Sequence, residues 1–145
     1  MEPANSPVFS HNEIETTASA QNVWKVLVDA PHWHEFYSNC KGLKIMGAEK
    51  QLQLGSRFRW WTFGAPVETV VDRFEEGHYL AWTGKSLGSV GHHVWIIDKT
   101  PNGCRIITEE TQKGLVVELL APFLSRGLLY FHERWLEGLA RTALA

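Results

Sequence analysis

Cysteine is scarce in this chain, with two in 145 residues, Cys40 and Cys104. They stand in unrelated contexts without the spacing of a zinc or redox pair, so a disulfide framework is excluded and both thiols are expected free and reduced. Basic clusters are missing too. With 14 Lys and Arg against 16 Asp and Glu the formal net charge is -2, and no stripe of cations offers itself to phosphates, which argues against a nucleic-acid partner. The chain lacks a Gly-rich phosphate cradle, a nucleophile elbow and a motif of metal-ligand spacing. Any chemistry is therefore expected to be cofactor-free, with no metal. The opening residues have neither the basic nor the apolar region of a signal peptide, so 1–9 read as a disordered leader and 10–145 as one domain. The longest apolar region, 115–131, is interrupted by Glu118, Pro122, Ser125 and Arg126. Those residues are costly in a bilayer, and membrane insertion is not expected. A cytoplasmic monomer or homodimer is the resulting expectation.

What the chain has in abundance is tryptophan, 7 residues in all. At this density indoles either fill a large core or line a pocket for a flat apolar ligand, and composition does not separate the two. The stretch 122–143 reads as one long amphipathic helix. On a wheel of about 100° per residue, Leu124, Leu128, Phe131, Trp135, Leu136, Leu139 and Ala143 share one side, and Arg126, Glu133, Arg134, Glu137 and Arg141 the other. His132 falls between Leu128 and Leu136, facing either core or cavity. Phe123 and Tyr130 fall on the polar side, as a dimer contact or as lone exposed aromatics. Such a rod needs an apolar surface of its own length, and the β-rich middle of the chain is the candidate.

Ahead of that middle, 11–17 alternates as a strand with Asn12, Ile14 and Thr16 on one face. Ser19 can cap a helix over 20–28 that buries Val23, Trp24 and Leu27. Pro31 opens a short second helix through Tyr37, carrying Trp33 and Phe36. A weak strand over 43–48 follows. Residues 57–62 and 67–72 flank a turn at 63–66, which sets Thr62 opposite Val67, Trp60 opposite Thr69, Phe58 opposite Val71, Arg57 opposite Asp72 and Trp61 opposite Glu68. A turn at 75–78 precedes a strand over 79–83, and 84–91, with three glycines, reads as a flexible connection or a bulged edge. Strands 92–99 and 104–112 flank Thr100-Pro101-Asn102-Gly103, a strong turn signal. Pairing Lys99 with Cys104 sets Asp98 opposite Arg105, Ile97 opposite Ile106, Trp95 opposite Thr108 and His93 opposite Glu110. The Asp98 and Arg105 pair marks its own face as the solvent side, so His93, Trp95, Thr108 and Glu110 face inward.

A β-α-α opening, an antiparallel meander and a long terminal helix make an α+β helix-grip architecture, a sheet of about six to seven strands enclosing a cavity. The segments Ala20 to Asp29 with Trp33, Gly55 to Trp60, Leu80 to Gly84, His93-Val94-Trp95, Gly103-Cys104-Arg105 leading to Glu109, Glu110 and Gly114, and Trp135 to Ala140 carry a resemblance. On these the chain resembles the START/Bet v 1-like superfamily, in its polyketide cyclase/dehydrase-like branch. The resemblance covers nearly the whole chain. It implies a deep cavity between sheet and terminal helix, entered near the short second helix and the strand loops. It does not fix the chemistry, because cyclases, dehydratases, other lyases, carriers and adaptors share this architecture.

If the hairpin register holds, His93 and Glu110 form an inward cross-strand pair and His132 looks down on them from the helix. Burial disfavours both charged forms while proximity favours them, so such a set can exchange protons near neutral pH. It serves either as a general acid/base in a water-poor pocket or as a satisfied buried pair beside the core. Trp60, Trp82, Trp95 and Trp135 form a ligand-stacking wall or core, with Phe58 and Leu128 beside them. Thr62, Thr69 and Thr108 offer hydroxyls to a guest or are simply strand formers. Tyr37 is a polar handle at the mouth or an exposed aromatic, and His32 with His34 makes a poor metal pair. The leading expectation is a small, mostly apolar, aromatic or polyketide-like ligand undergoing cyclisation, dehydration or isomerisation. A carrier or sensor without turnover, or an adaptor docking through Arg59, Trp61 and Glu68 with a filled interior, are the alternatives.

Overall fold

The computed structural model describes residues 8–145. Strand β1 (Val8–Thr16) leads to helix α1 (Ala20–Val28) and a 3-10 turn (Ala30–Glu35). Then come β2 (Lys41–Ile45), β3 (Arg57–Thr62), β4 (Ala65–Glu75), β5 (Tyr79–Ser86), β6 (Ser89–Thr100), β7 (Gly103–Lys113) and α2 (Leu115–Leu144). The described strands form one antiparallel seven-stranded sheet in the order β1-β7-β6-β5-β4-β3-β2. Helix α2 packs on β1, β7, β6 and α1. β1 starts at Val8, two residues inside the stretch expected as leader, and the rest of that expected leader lies outside the described residues.

Local chemistry accounts for the opening. The Ser19 hydroxyl accepts the Asn22 N–H at 3.1 Å and caps α1, whose Val23, Trp24, Leu27 and Val28 are buried. Pro31 starts the 3-10 turn, which ends at Glu35 rather than reaching Tyr37. Trp33 is fully buried, its indole N–H donating to the Leu27 carbonyl at 2.9 Å. Its ring meets Phe58, Trp60, Trp82 and Trp135 at centroid distances of 5.0–5.9 Å. Edge-on and tilted contacts of this kind add roughly 0.5–1.5 kcal/mol each beyond the area they bury.

Two sheet readings need correction. The β3–β4 turn is the pair Phe63-Gly64, not four residues, so Trp60 lies opposite Val67, Phe58 opposite Thr69 and Arg59 opposite Glu68, shifted by two from the expected register. The cause is Phe63, which takes the left-handed conformation (φ 53°) beside Gly64 (φ 73°) and closes a tight hairpin. Its N–H is held by Asn39 Oδ1 at 2.8 Å, a long-range contact invisible to local pattern. A shift of two leaves each side chain on its own face. The expected Arg57–Asp72 charge pair is replaced by Arg59–Glu68 at 3.1 Å. The stretch 84–91 is two regular strand ends joined by Leu87-Gly88, with Gly84 opposite Gly91 and Ser86 opposite Ser89. β2 sits earlier than 43–48, at Lys41–Ile45, with an irregularity before Lys44. The β6–β7 register is the one read from sequence, from Lys99 opposite Cys104 to His93 opposite Glu110. Gly103 is obligatory at that turn, because a Cβ there would lie 2.0 Å from the Thr16 carbonyl oxygen.

Helix α2 begins at Leu115 and carries Pro122 inside it, where a start at Pro122 was expected. Val117, one turn into the helix, is buried with Val8 and Leu128, and that burial holds the first turns helical despite the missing proline N–H. The C-terminal half buries Leu128, His132, Trp135, Leu136, Leu139, Ala140 and Ala143. The N-terminal half leaves Leu119 73% and Phe123 72% exposed. By length and composition alone α2 could span a bilayer, but its C-terminal half is built into the core.

Candidate functional site

Four neighbouring strands place one row of side chains: Ser10 on β1 lies opposite Glu110 on β7, Glu110 opposite His93 on β6, and His93 opposite Trp82 on β5. α2 brings His132 over that row. Glu110 Oε1 is 3.2 Å from His93 Nδ1 and 3.3 Å from His132 Nε2. The Gln112 amide donates to the other carboxylate oxygen. Each imidazole is held from behind by a buried hydroxyl: His93 Nε2 bonds Thr108 Oγ1 at 2.6 Å, and His132 Nδ1 bonds Ser10 Oγ at 3.3 Å. His132 Nε2 lies off the hydrogen-bond direction to the carboxylate and is an unpartnered buried polar atom among the described residues. One donor atom from each of His93, Glu110 and His132 falls within 4.8 Å of the others, so these three could hold a metal ion.

Burial is the first cause of the His93 shift, aided by charge on His132, and lowers it to about 3 against the pull of Glu110. The ring is neutral at pH 7. Burial works to raise Glu110, but the His132 ring, the His93 charge and the Gln112 amide outweigh it and lower the carboxyl to about 2. With His93 neutral, the Gln112 amide is the hydrogen bond that keeps the carboxylate ionised. The resting state is an ionised carboxylate between two rings in a water-poor setting.

This cluster lines a cavity of about 260 Å³. A cavity of about 150 Å³ can take benzene, so this one has room for a substituted ring. Tyr37, Trp60, Thr62, Thr69, Trp82, Leu128 and Trp135 line it with His93, Glu110 and His132. Its walls include Trp60, Trp82 and Trp135 of the main core and Val117 and Leu128 of the smaller buried cluster, so the hollow lies between the two. Trp135 Nε1 and Thr62 Oγ1 are buried without a partner among the described residues and are free to meet a guest.

Phe58, Trp95 and Thr108, also expected in the lining, are not part of it, and Thr69 and Tyr37 line it in ways not expected. Phe58 is in the core, edge-on to Trp33 and Trp82. Trp95 stands behind His93, rings stacked at 5.2 Å, and Thr108 positions that histidine from behind. The Thr69 hydroxyl is taken by Trp60 Nε1 at 3.1 Å. Tyr37 is not at the mouth: it is buried against Trp135, and its hydroxyl accepts from Asn39 Nδ2 at 3.2 Å. The exposed rim is formed by Leu87 and Leu120, at the β5–β6 turn and on α2, which moves the expected entrance away from the short second helix. His32 and His34 are occupied separately, by Asp29 and by the Pro31 carbonyl.

Sequence reasoning missed Ser10 and Gln112. Ser10 shares the parity of Asn12 and lies one residue before the strand expected over 11–17, and Gln112 shares the parity of Glu110 and already closes the strand expected over 104–112. Gly84 and Gly91, facing each other across β5 and β6, were read as flexibility and instead supply empty space.

An antiparallel sheet gripping a long C-terminal helix around an apolar cavity with a buried ionisable cluster defines a helix-grip protein of the START/Bet v 1-like superfamily. Within it, the chain belongs to the polyketide cyclase / dehydrase and lipid transport family, whose profile matches residues 10–145. Among solved structures it is similar to the hypothetical protein jhp0584 of Helicobacter pylori, at 30% identity and a TM-score of 0.89 over 97% of this chain and 90% of that one. It also resembles the di-domain ARO/CYC StfQ of the steffimycin biosynthetic pathway, at 14% identity and a TM-score of 0.77 over 94% of this chain and 50% of that one. Norcoclaurine synthase from Thalictrum flavum is similar at 16% identity and a TM-score of 0.74 over 94% of this chain and 92% of that one. Norcoclaurine synthase has also been solved with dopamine and hydroxybenzaldehyde. No curated protein gives a significant match.

Proposed function

We propose that the cavity encloses a small, mostly apolar molecule, aromatic or polyketide-like, and that Glu110, His93 and His132 carry out acid/base cyclisation, dehydration or isomerisation on it. The observation that supports this reading is the ionised Glu110 carboxylate on the wall of an apolar cavity, 3.2 and 3.3 Å from two imidazole nitrogens. A guest that displaces water from the carboxylate raises its basicity, and the adjacent rings give the abstracted proton a place to go. The indoles of Trp60, Trp82 and Trp135 fold the guest toward a reactive shape. The same cavity serves a carrier or sensor without turnover, a reading favoured by its predominantly aromatic and aliphatic lining. An adaptor with a filled interior is disfavoured by the hollow. We further take the protein to be a cytoplasmic monomer or homodimer that neither binds nucleic acid nor inserts into membranes, in line with its charge of -2 and the buried half of α2.

Native mass spectrometry of protein purified from its own source identifies a retained molecule, and Glu110→Gln is then assayed on it. A fall in turnover of about 10²–10⁴-fold with binding retained supports the enzyme. Unchanged turnover removes Glu110 from the chemistry, and binding with no turnover by the unaltered protein selects the carrier.

A further inference from the structure

The geometry points to a divalent transition-metal site formed by His93 Nδ1, His132 Nε2 and Glu110, open on its remaining side to the apolar cavity. The protons on His93 are placed by its neighbours. The Thr108 hydroxyl has a single proton and donates it to the Val94 carbonyl at 3.2 Å, so the bond between His93 Nε2 and Thr108 Oγ1 at 2.6 Å is donated by the ring. With its Nε2 proton given to Thr108, the ring turns its other nitrogen, Nδ1, toward Glu110 Oε1 at 3.2 Å. An imidazole nitrogen against a carboxylate is repulsive unless a cation, either a second proton or a metal ion, stands between them.

His132 repeats the pattern. Its Nδ1 is engaged by Ser10 Oγ, and its fully buried Nε2 is turned toward the same carboxylate oxygen without a hydrogen-bond partner among the described residues. An orphaned buried nitrogen is costly, by about 1–3 kcal/mol, and a metal bond would remove that cost. Backing each ligating imidazole with an outer acceptor is how proteins fix the tautomer and aim of a metal-bound histidine.

The two distances to the carboxylate agree with this, and the ligand atoms all lie within 4.8 Å of one another. Metal–nitrogen and metal–oxygen bonds of about 2.0–2.2 Å in tetrahedral arrangement set ligand atoms about 3.3 Å apart, and the two carboxylate–imidazole separations are 3.2 and 3.3 Å. Two imidazoles and one carboxylate with an open position is a donor set for Zn²⁺ and its neighbours in the first transition row, not for Ca²⁺ or Mg²⁺. The inference uses the site of the preceding reading, in place of the cofactor-free expectation, but does not need turnover: uptake is measured without a substrate, so either can fail alone.

The test uses the full chain, stripped with a chelator and titrated with Co²⁺ and then Zn²⁺. Expected are visible d–d bands of four- or five-coordinate cobalt at one ion per chain, their loss on adding Zn²⁺, and a rise in melting temperature. Glu110→Gln and His132→Gln, confirmed folded by circular dichroism, lose the bands; Ser10→Ala weakens uptake by about tenfold through its effect on the His132 tautomer; His92→Asn, on the opposite face, keeps them. An anomalous-scattering peak between the three side chains in zinc-soaked crystals of the unaltered protein supports the site without relying on any variant. The proposal is overturned by absent bands and an unmoved melting temperature at millimolar Co²⁺, by equal uptake in Glu110→Gln and His132→Gln, or by an anomalous peak elsewhere.

Discussion

Tyr37 and Trp135 stack face to face, ring centroids 4.3 Å apart and planes 13° from parallel, joining the end of the 3-10 turn to the middle of α2. The Tyr37 hydroxyl accepts from Asn39 Nδ2, and Asn39 Oδ1 holds the Phe63 N–H. Removing the ring and removing the hydroxyl therefore test different things. Tyr37→Ala is expected to cost about 3–5 kcal/mol by opening a cavity beside Trp135. Tyr37→Phe is expected to cost about 1 kcal/mol and to loosen the β3–β4 turn through Asn39. Urea denaturation measures both, and hydrogen exchange at the Phe63 amide isolates the second. Equal costs for the two variants would contradict the tether.

The buried cluster makes stability depend on pH in a defined direction. His93 is lowered to about 3 from its ordinary 6.5, so an unfolded chain takes up a proton below pH 6.5 that the native chain refuses. Its contribution is complete above pH 6.5 and drains away as pH falls toward 3. Glu110, lowered to about 2 from 4.5, acts in the same sense, complete above pH 4.5 and lost toward 2. Chelator-treated protein is thus expected to lose up to about 1.4 kcal/mol per pH unit from His93 on acidification below pH 6.5. In His93→Leu the segment of the curve between pH 6 and pH 5 should flatten, as read by thermal melts across pH. A parallel curve for the variant would show that His93 protonates freely in the native state.

Leu128 belongs to the smaller buried cluster and lines the cavity between that cluster and the main core. Leu128→Ala is expected to destabilise by about 2–5 kcal/mol while enlarging the hollow. Binding of an environment-sensitive apolar dye, titrated by fluorescence, should shift toward bulkier dyes. A variant that loses stability with unaltered dye preference would place the guest elsewhere.

Cys40 and Cys104 are free and buried, and burial pushes the Cys40 thiol up to about 12. At pH 8 only roughly 10⁻⁴ of it is thiolate, the reactive form. Native protein is expected to resist aromatic disulfide reagents and to react with both thiols on adding urea. Rapid labelling of Cys40 in the folded protein would mean that the segment between the 3-10 turn and β2 opens on its own.

How much of this was written in the sequence can be followed residue by residue. The β6–β7 register was legible because the Pro101-Asn102 turn and the Asp98–Arg105 pair fix it locally, and with it came His93 opposite Glu110. The helical wheel brought His132 to the same side. The β3–β4 register was not legible, since nothing in the local pattern announces that Phe63 adopts a positive φ held by Asn39 from a distant loop. Pro122 looked like a helix start because prolines favour first turns, and the burial of Val117 against β1 overrode that preference. Tyr37 looked exposed because its partner, Trp135, is about a hundred residues away in the chain. Ser10 was missed for the same reason: its role depends on a helix that arrives last.

The Phe63-Gly64 hairpin carries a lesson about how such a chain can change length. A side chain returns to its own side of a ribbon only every second position, so losing a pair of residues from β4 would leave aromatic walls where they are, whereas losing one would turn Thr69 and Val71 outward and Glu68 and Val70 inward. Insertions and deletions tolerated in this arm should come in even numbers.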